Sequence, residues 1–126
     1  MTLWNLQRQY GLTLFLGTLY HLKNPFTVLE RLARHARYCL LSTRVASWSP
    51  DRTVELARVP VAYLVGPHEC NGDTTNYWIF SPKGLIQLTE RSGGRVLASM
   101  NTGATQSDPA AQEADERQFL LLESLR

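Results

Sequence analysis

Tyr20 and His21 are the residues of this chain whose type and position best suit chemistry. They follow a short apolar run at residues 12–16, typical of a parallel strand covered on both faces, and Gly17, where the chain can turn tightly. Ligands in open α/β sheets bind beyond the carboxyl ends of the strands. His21 could be a general acid or base, or a structural histidine whose ring nitrogens bond the turn. Tyr20 could position a bound substrate or pack under the following helix.

Two sets of side chains have the chemistry of metal ligands. The alternation of Glu69, Asn71 and Asp73 offers oxygen ligands for a hard cation, but the twelfth-position glutamate of an EF-hand loop is absent. A zinc set would consist of His21, His68 and Cys70. Their spacing is not that of a zinc motif. The sequence therefore predicts no metal site.

Arg44 is a candidate for binding an anion. It follows the second apolar run of the chain, at residues 38–43. Its planar guanidinium group could bind an anionic group of a bound substrate through two hydrogen bonds. A surface ion pair, which contributes little to stability, is the alternative.

A strand–helix–strand unit must position these residues. Asn24 is suited to the N-cap of the helix and Pro25 to its first turn. Residues 38–43 then form a second buried strand, and a right-handed crossover makes the two strands adjacent and parallel. Four apolar residues share one stripe of the helix: Leu29, Leu32, Ala33 and Ala36.

The rest of the chain is predicted from turn residues and caps. Residues 44–76 are rich in proline and glycine and form a long insertion with short strands over 54–65. A Ser-Pro pair at 81–82 begins a second helix, and a Gly-Gly pair at 93–94 ends it.

Two final strands, at residues 95–100 and 119–124, are predicted to form an antiparallel pair. The polar segment over 102–116 is then a solvated hairpin loop. The expected fold is a three-layer α/β structure in one domain of 126 residues, with parallel strands followed by this antiparallel pair.

Composition excludes several classes of protein. The net charge is +2, with 11 Arg and 2 Lys, which permits nucleic-acid binding without indicating it. Two cysteines in an α/β pattern favour a reducing cytoplasm over a disulfide scaffold. No run approaches the roughly 18 apolar residues of a membrane span, and the N-terminus lacks the pattern of a signal peptide.

Two stretches resemble class I S-adenosylmethionine-dependent methyltransferases. LFLGTLYHLKNPFTVLERL, residues 14–32, resembles the fourth strand and following helix of that family, and its GxLYHxxxP pattern is similar to the wobble-uridine tRNA-modifying branch. ECNGDTTNYWIFSP, residues 69–82, resembles a second segment of the same relatives, in the family's order. The resemblance implies a Rossmann-like sheet and S-adenosylmethionine (SAM) as cofactor.

The resemblance also implies different roles for the matching residues. His21 would be the catalytic residue. The residues near the cofactor would be Gly17, Thr18 and Leu19. The substrate-binding residues would be Tyr20, Arg44, Glu69, Asn71, Asn76, Tyr77 and Trp78. Aromatic side chains among them could stack a planar substrate or hold a sulfonium, or simply anchor the insertion on the core.

The glycine-rich turn that holds the nucleotide end of the cofactor in this family is missing from the sequence. Residues 1–10 form a connector, too short for the βαβ unit of roughly 30 residues that such a site needs. The chain is therefore expected to be the C-terminal portion of a methyltransferase or a shortened relative. The uncovered edge of the first strand predicts self-association or a partner polypeptide, and a non-catalytic interaction module is the alternative function. The acceptor could be a small molecule or RNA.

Overall fold

The computed structural model describes residues 10–70 and 74–126, which form a mixed sheet and two helices. The elements in chain order are β1 (Tyr10–Leu16), α1 (Pro25–His35), β2 (Ala36–Val45), β3 (Ala62–Leu64), β4 (Trp78–Phe80), α2 (Pro82–Arg91), β5 (Gly94–Gly103) and β6 (Glu116–Ser124). The predicted connector lies outside the described residues except for Tyr10, which begins β1.

The pairing of β1 with β2 forms the base of the candidate site. The two strands are parallel, with Leu12 opposite Tyr38 and Leu16 opposite Ser42, which is the pairing that the strand–helix–strand order predicted. The other side of β2 pairs antiparallel with β6, and β6 pairs antiparallel with β5. β2 continues to Val45, so Arg44 lies within the strand and not after it.

A short hairpin extends the sheet beyond the carboxyl end of β2. β3 pairs antiparallel with β4, and β4 joins β2 where Val45 lies opposite Phe80. β3 falls in the range predicted to hold short strands. β4 was not predicted, because three residues show too little alternation to identify a strand.

Both helices begin at the predicted prolines. Asn24 occupies the N-cap of α1, although its side chain makes no cap hydrogen bond. Ser81 caps α2, and its Oγ accepts a hydrogen bond of 2.9 Å from the Gly84 N–H. The same hydroxyl accepts from the Val61 N–H at 3.1 Å and donates to the Val59 carbonyl at 2.6 Å. Ser81 therefore fastens the segment that leads into β3 onto the first turn of α2.

The main core lies on one face of the sheet. α1 and α2 pack on the same side, in a cluster whose buried members are Phe15, Leu19, Val28, Leu29, Leu32, Cys39, Leu41, Val45, Leu85, Leu88, Leu120 and Leu122. The register places Cys39 opposite Leu122 and Leu41 opposite Leu120, so these strand residues share that face. The expectation of three layers is corrected here: the described residues form two layers, a sheet with helices on one side.

The opposite face of the sheet is open at β1, where it presents apolar side chains. We predicted that both faces of β1 are covered, yet Leu12, Leu14 and Leu16 are 57%, 60% and 48% exposed. Thr13 and Phe15 of the same strand point into the helix-covered side and are buried. The apolar run thus reads correctly as a strand of buried type, but the described residues supply a cover for only one of its faces. Neither helix that the structure describes has the length or apolarity to cross a membrane.

Candidate functional site

The turn after β1 is the first half of the candidate site. Gly17 has φ +71°, a left-handed conformation that glycine adopts without strain, and its N–H donates to the Ser42 carbonyl at 2.9 Å. A 3₁₀ turn over Leu19–His21 follows. Of the three residues predicted near the cofactor, Gly17 and Thr18 lie at the surface, whereas the Leu19 side chain is fully buried. Leu19 could therefore meet a ligand only through its backbone.

Residues from the second matching stretch close over this turn. The Tyr77 N–H donates to the Tyr20 carbonyl at 2.8 Å. His21 Nδ1 lies 2.9 Å from the carbonyl oxygen of Thr75 and 3.1 Å from its hydroxyl, across 54 positions of sequence. The two segments that the sequence assigned to one cleft do meet, at the carboxyl end of β1.

The contact with Thr75 leaves two tautomers open to His21. A protonated Nδ1 donates to the Thr75 carbonyl and leaves Nε2 unprotonated, whereas an unprotonated Nδ1 accepts from the Thr75 hydroxyl. The first tautomer is the one required of a general base. The ring is half-buried and lies 4.3 Å from the ring of Tyr20. With Nδ1 protonated, His21 can therefore hold the turn through Nδ1 and still offer Nε2 for proton transfer.

Arg117 of β6 reaches the same cleft, and sequence reasoning missed it. Its guanidinium carbon lies 5.9 Å from the centre of the Tyr20 ring. A Cβ added at Gly17 would lie 3.7 Å from Arg117 Nη1. The nearest carboxylate to its Nε is that of Asp115, at 3.8 Å and more than a third exposed. No pattern in the sequence around residue 117 indicates this, because only the pairing of β6 with β2 brings Arg117 opposite Arg44.

Trp78 lies on the other side of the hairpin. Side chains alternate along a strand, and Ile79 packs in a second cluster with Tyr20, while Phe80 packs against the helices. Trp78 lines a groove of about 290 Å³ together with Phe80, and its Nε1 donates to the Lys23 carbonyl at 3.1 Å. The structure therefore separates Trp78 from the cleft in which we predicted it. Lys23 bridges the two regions, since its Nζ lies 5.3 Å from the centre of the Tyr77 ring.

Glu69 and Asn76, both predicted to bind substrate, hold the insertion together. The Glu69 carboxylate accepts from the Tyr63 hydroxyl at 2.5 Å and from the Gly66 N–H at 2.9 Å. Burial and this hydrogen bond to Glu69 raise the pKa of Tyr63 to about 12. Asn76 is buried, and its amide donates to the Cys70 carbonyl at 3.3 Å. Asn71, predicted beside them, lies outside the described residues.

Arg44 is a structural residue in this fold and not a surface anion binder. It is 4% exposed, and its Nη2 donates to the carbonyls of Asp108 and Ala111 at 3.0 and 2.7 Å. Its Nε lies 3.5 Å from an Asp115 carboxylate oxygen. The loop that we predicted to be solvated instead wraps this guanidinium through the carbonyls of Asp108 and Ala111. Ser107 of the same loop is also buried, and its hydroxyl accepts from the Ser47 N–H at 3.0 Å and donates to Glu116 at 2.6 Å.

The described residues contain no group of three or more His, Cys, Asp or Glu side chains that could hold a metal ion. Asn71 and Asp73, two of the three candidate cation ligands, are not among those residues. The geometry offers a part-buried cleft in which the imidazole of His21 and the phenol of Tyr20, from the turn after β1, meet the guanidinium of Arg117, from the amino end of β6.

Similar folds occur among solved structures. The N-terminal domain of EvdMO1 with S-adenosylhomocysteine (SAH) bound matches at a TM-score of 0.59 and 19% identity, over 100% of this chain and 50% of that chain. The same domain with SAH and D-fucose matches at 0.57 and 16% identity, over 100% and 51%. The glycopeptide N-methyltransferase MtfA complexed with SAH matches at 0.51 and 14% identity, over 94% and 56%.

This chain thus spans about half the length of these three solved structures. Identities this low establish a shared fold and nothing finer. No family model matches the chain, and no curated protein does.

Proposed function

We propose that this chain is the acceptor-side half of a SAM-dependent methyltransferase, and that it acts with a polypeptide segment that supplies the cofactor-binding half. The observation that carries the proposal is the match of the whole chain to half of a domain that holds SAH, the product left when SAM gives up its methyl group. The cleft of Tyr20 and His21 supports it, because it lies beyond the carboxyl end of β1, where ligands of such sheets bind.

The residues of this chain fit the acceptor side of that reaction. SAM supplies an electrophilic methyl group on sulfur. His21 Nε2 would take the proton of the attacking hydroxyl or amine, so that the nucleophile keeps its electron pair for the new bond to carbon. Tyr20 would align the acceptor, and the charge of Arg117 would attract an anionic group on it. Gly17 and Thr18 would border the cofactor, whose nucleotide end requires the glycine-rich turn that this sequence lacks.

We infer a small-molecule acceptor, because the polar groups of the cleft converge on one part-buried place. An RNA acceptor, as in the wobble-uridine branch, is the runner-up and would need a basic track leading to Tyr20. We place the reaction in the cytoplasm, since neither Cys39 nor Cys70 forms a disulfide.

The test uses the half of the EvdMO1 domain that this chain does not match, fused ahead of residue 10. SAM is titrated calorimetrically into the chain alone and into the fusion. We expect binding by the fusion only, since the chain alone lacks the backbone donors for the nucleotide end. The fusion is then assayed for SAH formation with D-fucose and other small hydroxyl and amino compounds.

The role of His21 is tested in the same fusion. His21→Ala should lower the rate of methyl transfer by roughly 10²- to 10⁴-fold while leaving SAM binding unchanged. His68→Ala is the matched control, because it removes the same ring from an exposed position of the turn over residues 67–70. Equal rates in the His21→Ala and parent fusions would leave His21 a purely structural residue. A fusion that folds but never binds SAM would favour the alternative function, a non-catalytic module kept for its exposed sheet edge.

A further inference from the structure

A groove over β3 and β4 plays no part in the candidate cleft. The part that Trp78 lines has a volume of about 290 Å³, and the adjoining part, which reaches Gln87 and Arg91 of α2, has a volume of about 330 Å³. Both parts are lined by the same four apolar residues, which are Phe26, Ala62, Phe80 and Leu88. Phe26, in the first turn of α1, is 49% exposed. The two parts therefore form one groove with an exposed aromatic wall, and an apolar surface of this kind marks an interaction site.

The outer edge of β3 is open beside this groove. β3 is the last strand of the sheet, and no strand that the structure describes lies on its outer side. The Val65 N–H faces β4, where it donates to the Tyr77 carbonyl at 2.9 Å. Alternate residues of an antiparallel strand direct their backbone groups to opposite sides. The N–H and C=O groups of Ala62 and Leu64 therefore point away from β4 and are available to a further strand.

A strand added at this edge would lay side chains over the groove. Ala62 lies opposite Phe80 and Leu64 opposite Trp78, so these four side chains share the face on which the groove lies. Leu64 is 62% exposed. Every second side chain of an added strand would point to the same face, next to Ala62. Backbone pairing then supplies affinity, and the groove selects an apolar side chain.

The charges along the groove define the flanks of such a segment. Lys23 lines the part that contains Trp78, and Arg91 lines the part against α2. Among the described residues, no Asp or Glu lines either part. Acidic residues on both sides of the apolar one would complement these two cations, whereas basic residues would be repelled.

We propose that the free edge of β3 and the groove beside it bind an extended acidic segment of a partner protein by strand addition. The segment pairs with the backbone of Ala62 and Leu64 and places an apolar side chain against Phe26. Its acidic residues lie within reach of Lys23 and Arg91. Two outward-facing residues of β3 offer few hydrogen bonds, so the apolar contact in the groove is essential to binding.

The experiment selects binders from a phage-displayed library of random short peptides on the intact chain. Selected sequences should share an apolar residue flanked by Asp or Glu. A selected peptide, synthesised alone, should slow hydrogen exchange at the amides of Ala62 and Leu64. Phe26→Ala should weaken its binding at least about tenfold, because the ring forms the wall of the groove. Leu97→Ala is the matched control, since Leu97 is 45% exposed on β5, and it should bind as the parent chain does.

The charge assignment has its own variant. Arg91→Glu should also weaken the selected peptide, and added salt should weaken binding to the parent chain more than to this variant. A library that yields no binder, or one that yields basic peptides, would overturn the proposal. So would equal binding by the Phe26→Ala and Leu97→Ala variants, or binding without slower exchange at Ala62 and Leu64. A dimer by light scattering with those amides already protected would make a second copy the occupant and would overturn it as well.

Discussion

Ser81→Ala removes a hydroxyl that makes three hydrogen bonds at the junction of α2 with the segment before β3. Ser81 is 0% exposed, so water cannot replace those bonds. Loss of an N-cap costs about 1 kcal/mol, and each buried group left unsatisfied costs about 1–3 kcal/mol. The Val61 N–H and Val59 carbonyl are only part-buried, which lowers their share. We expect the free energy of unfolding to fall by about 2–4 kcal/mol, a large fraction of the 5–15 kcal/mol typical of a domain.

The assay is urea denaturation followed by tryptophan fluorescence, with the slope of the transition compared between variants. Ser99→Ala is the control, because it removes the same atoms from an exposed position of β5 and should change stability by less than about 0.5 kcal/mol. A loss below about 1 kcal/mol for Ser81→Ala at unchanged slope would refute the reasoning, since the three contacts would then be replaceable.

Three further changes have definite expected outcomes. Gly84→Ala should destabilise by more than the cap loss alone, because the new Cβ would lie 2.4 Å from the Val61 carbonyl oxygen; a melting temperature equal to that of the parent would contradict this. Burial raises the pKa of Cys39 from 9.0 to about 12, so above pH 9 the unfolded thiol ionises first. Stability should therefore fall between pH 9 and 12, and Cys39→Ala should reduce that fall in urea titrations. Arg44→Met should release the loop that it holds, measured as faster hydrogen exchange at Ala111, with unchanged exchange counting against the assignment.

Local signals predicted the parts of the fold that depend on local physics. The apolar run of β1, the proline that begins α1 and the Ser81–Pro82 start of α2 act within a few residues, and all three are found. The fate of Arg44 depended on a loop more than 60 positions away, which no pattern around the residue could reveal. The carbonyls of that loop satisfy the buried guanidinium, so a side chain that we predicted to bind a ligand instead holds the loop in place.

The candidate site shows the same division. From the sequence we predicted that Tyr20, His21 and Tyr77 share one cleft. The two stretches that contain them resemble the same family, and a predictable helix follows each stretch. It could not tell that β4 turns Trp78 to the opposite side, since a strand of three residues leaves no alternation to count. Arg117 was missed for a related reason, as only the pairing of β6 with β2 brings it to the cleft.

The position of β6 between β2 and β5 has a consequence for how the chain is made. β2 ends at Val45 and its partner β6 begins at Glu116, so roughly seventy residues separate two adjacent strands, and at about 5–20 residues per second a ribosome needs several seconds to cross that interval. During that time β2 can pair with β1 and with β4, but the edge that β6 will occupy stays open to other nascent chains. The strand at the middle of the finished sheet is thus the one most dependent on a chaperone before β6 emerges.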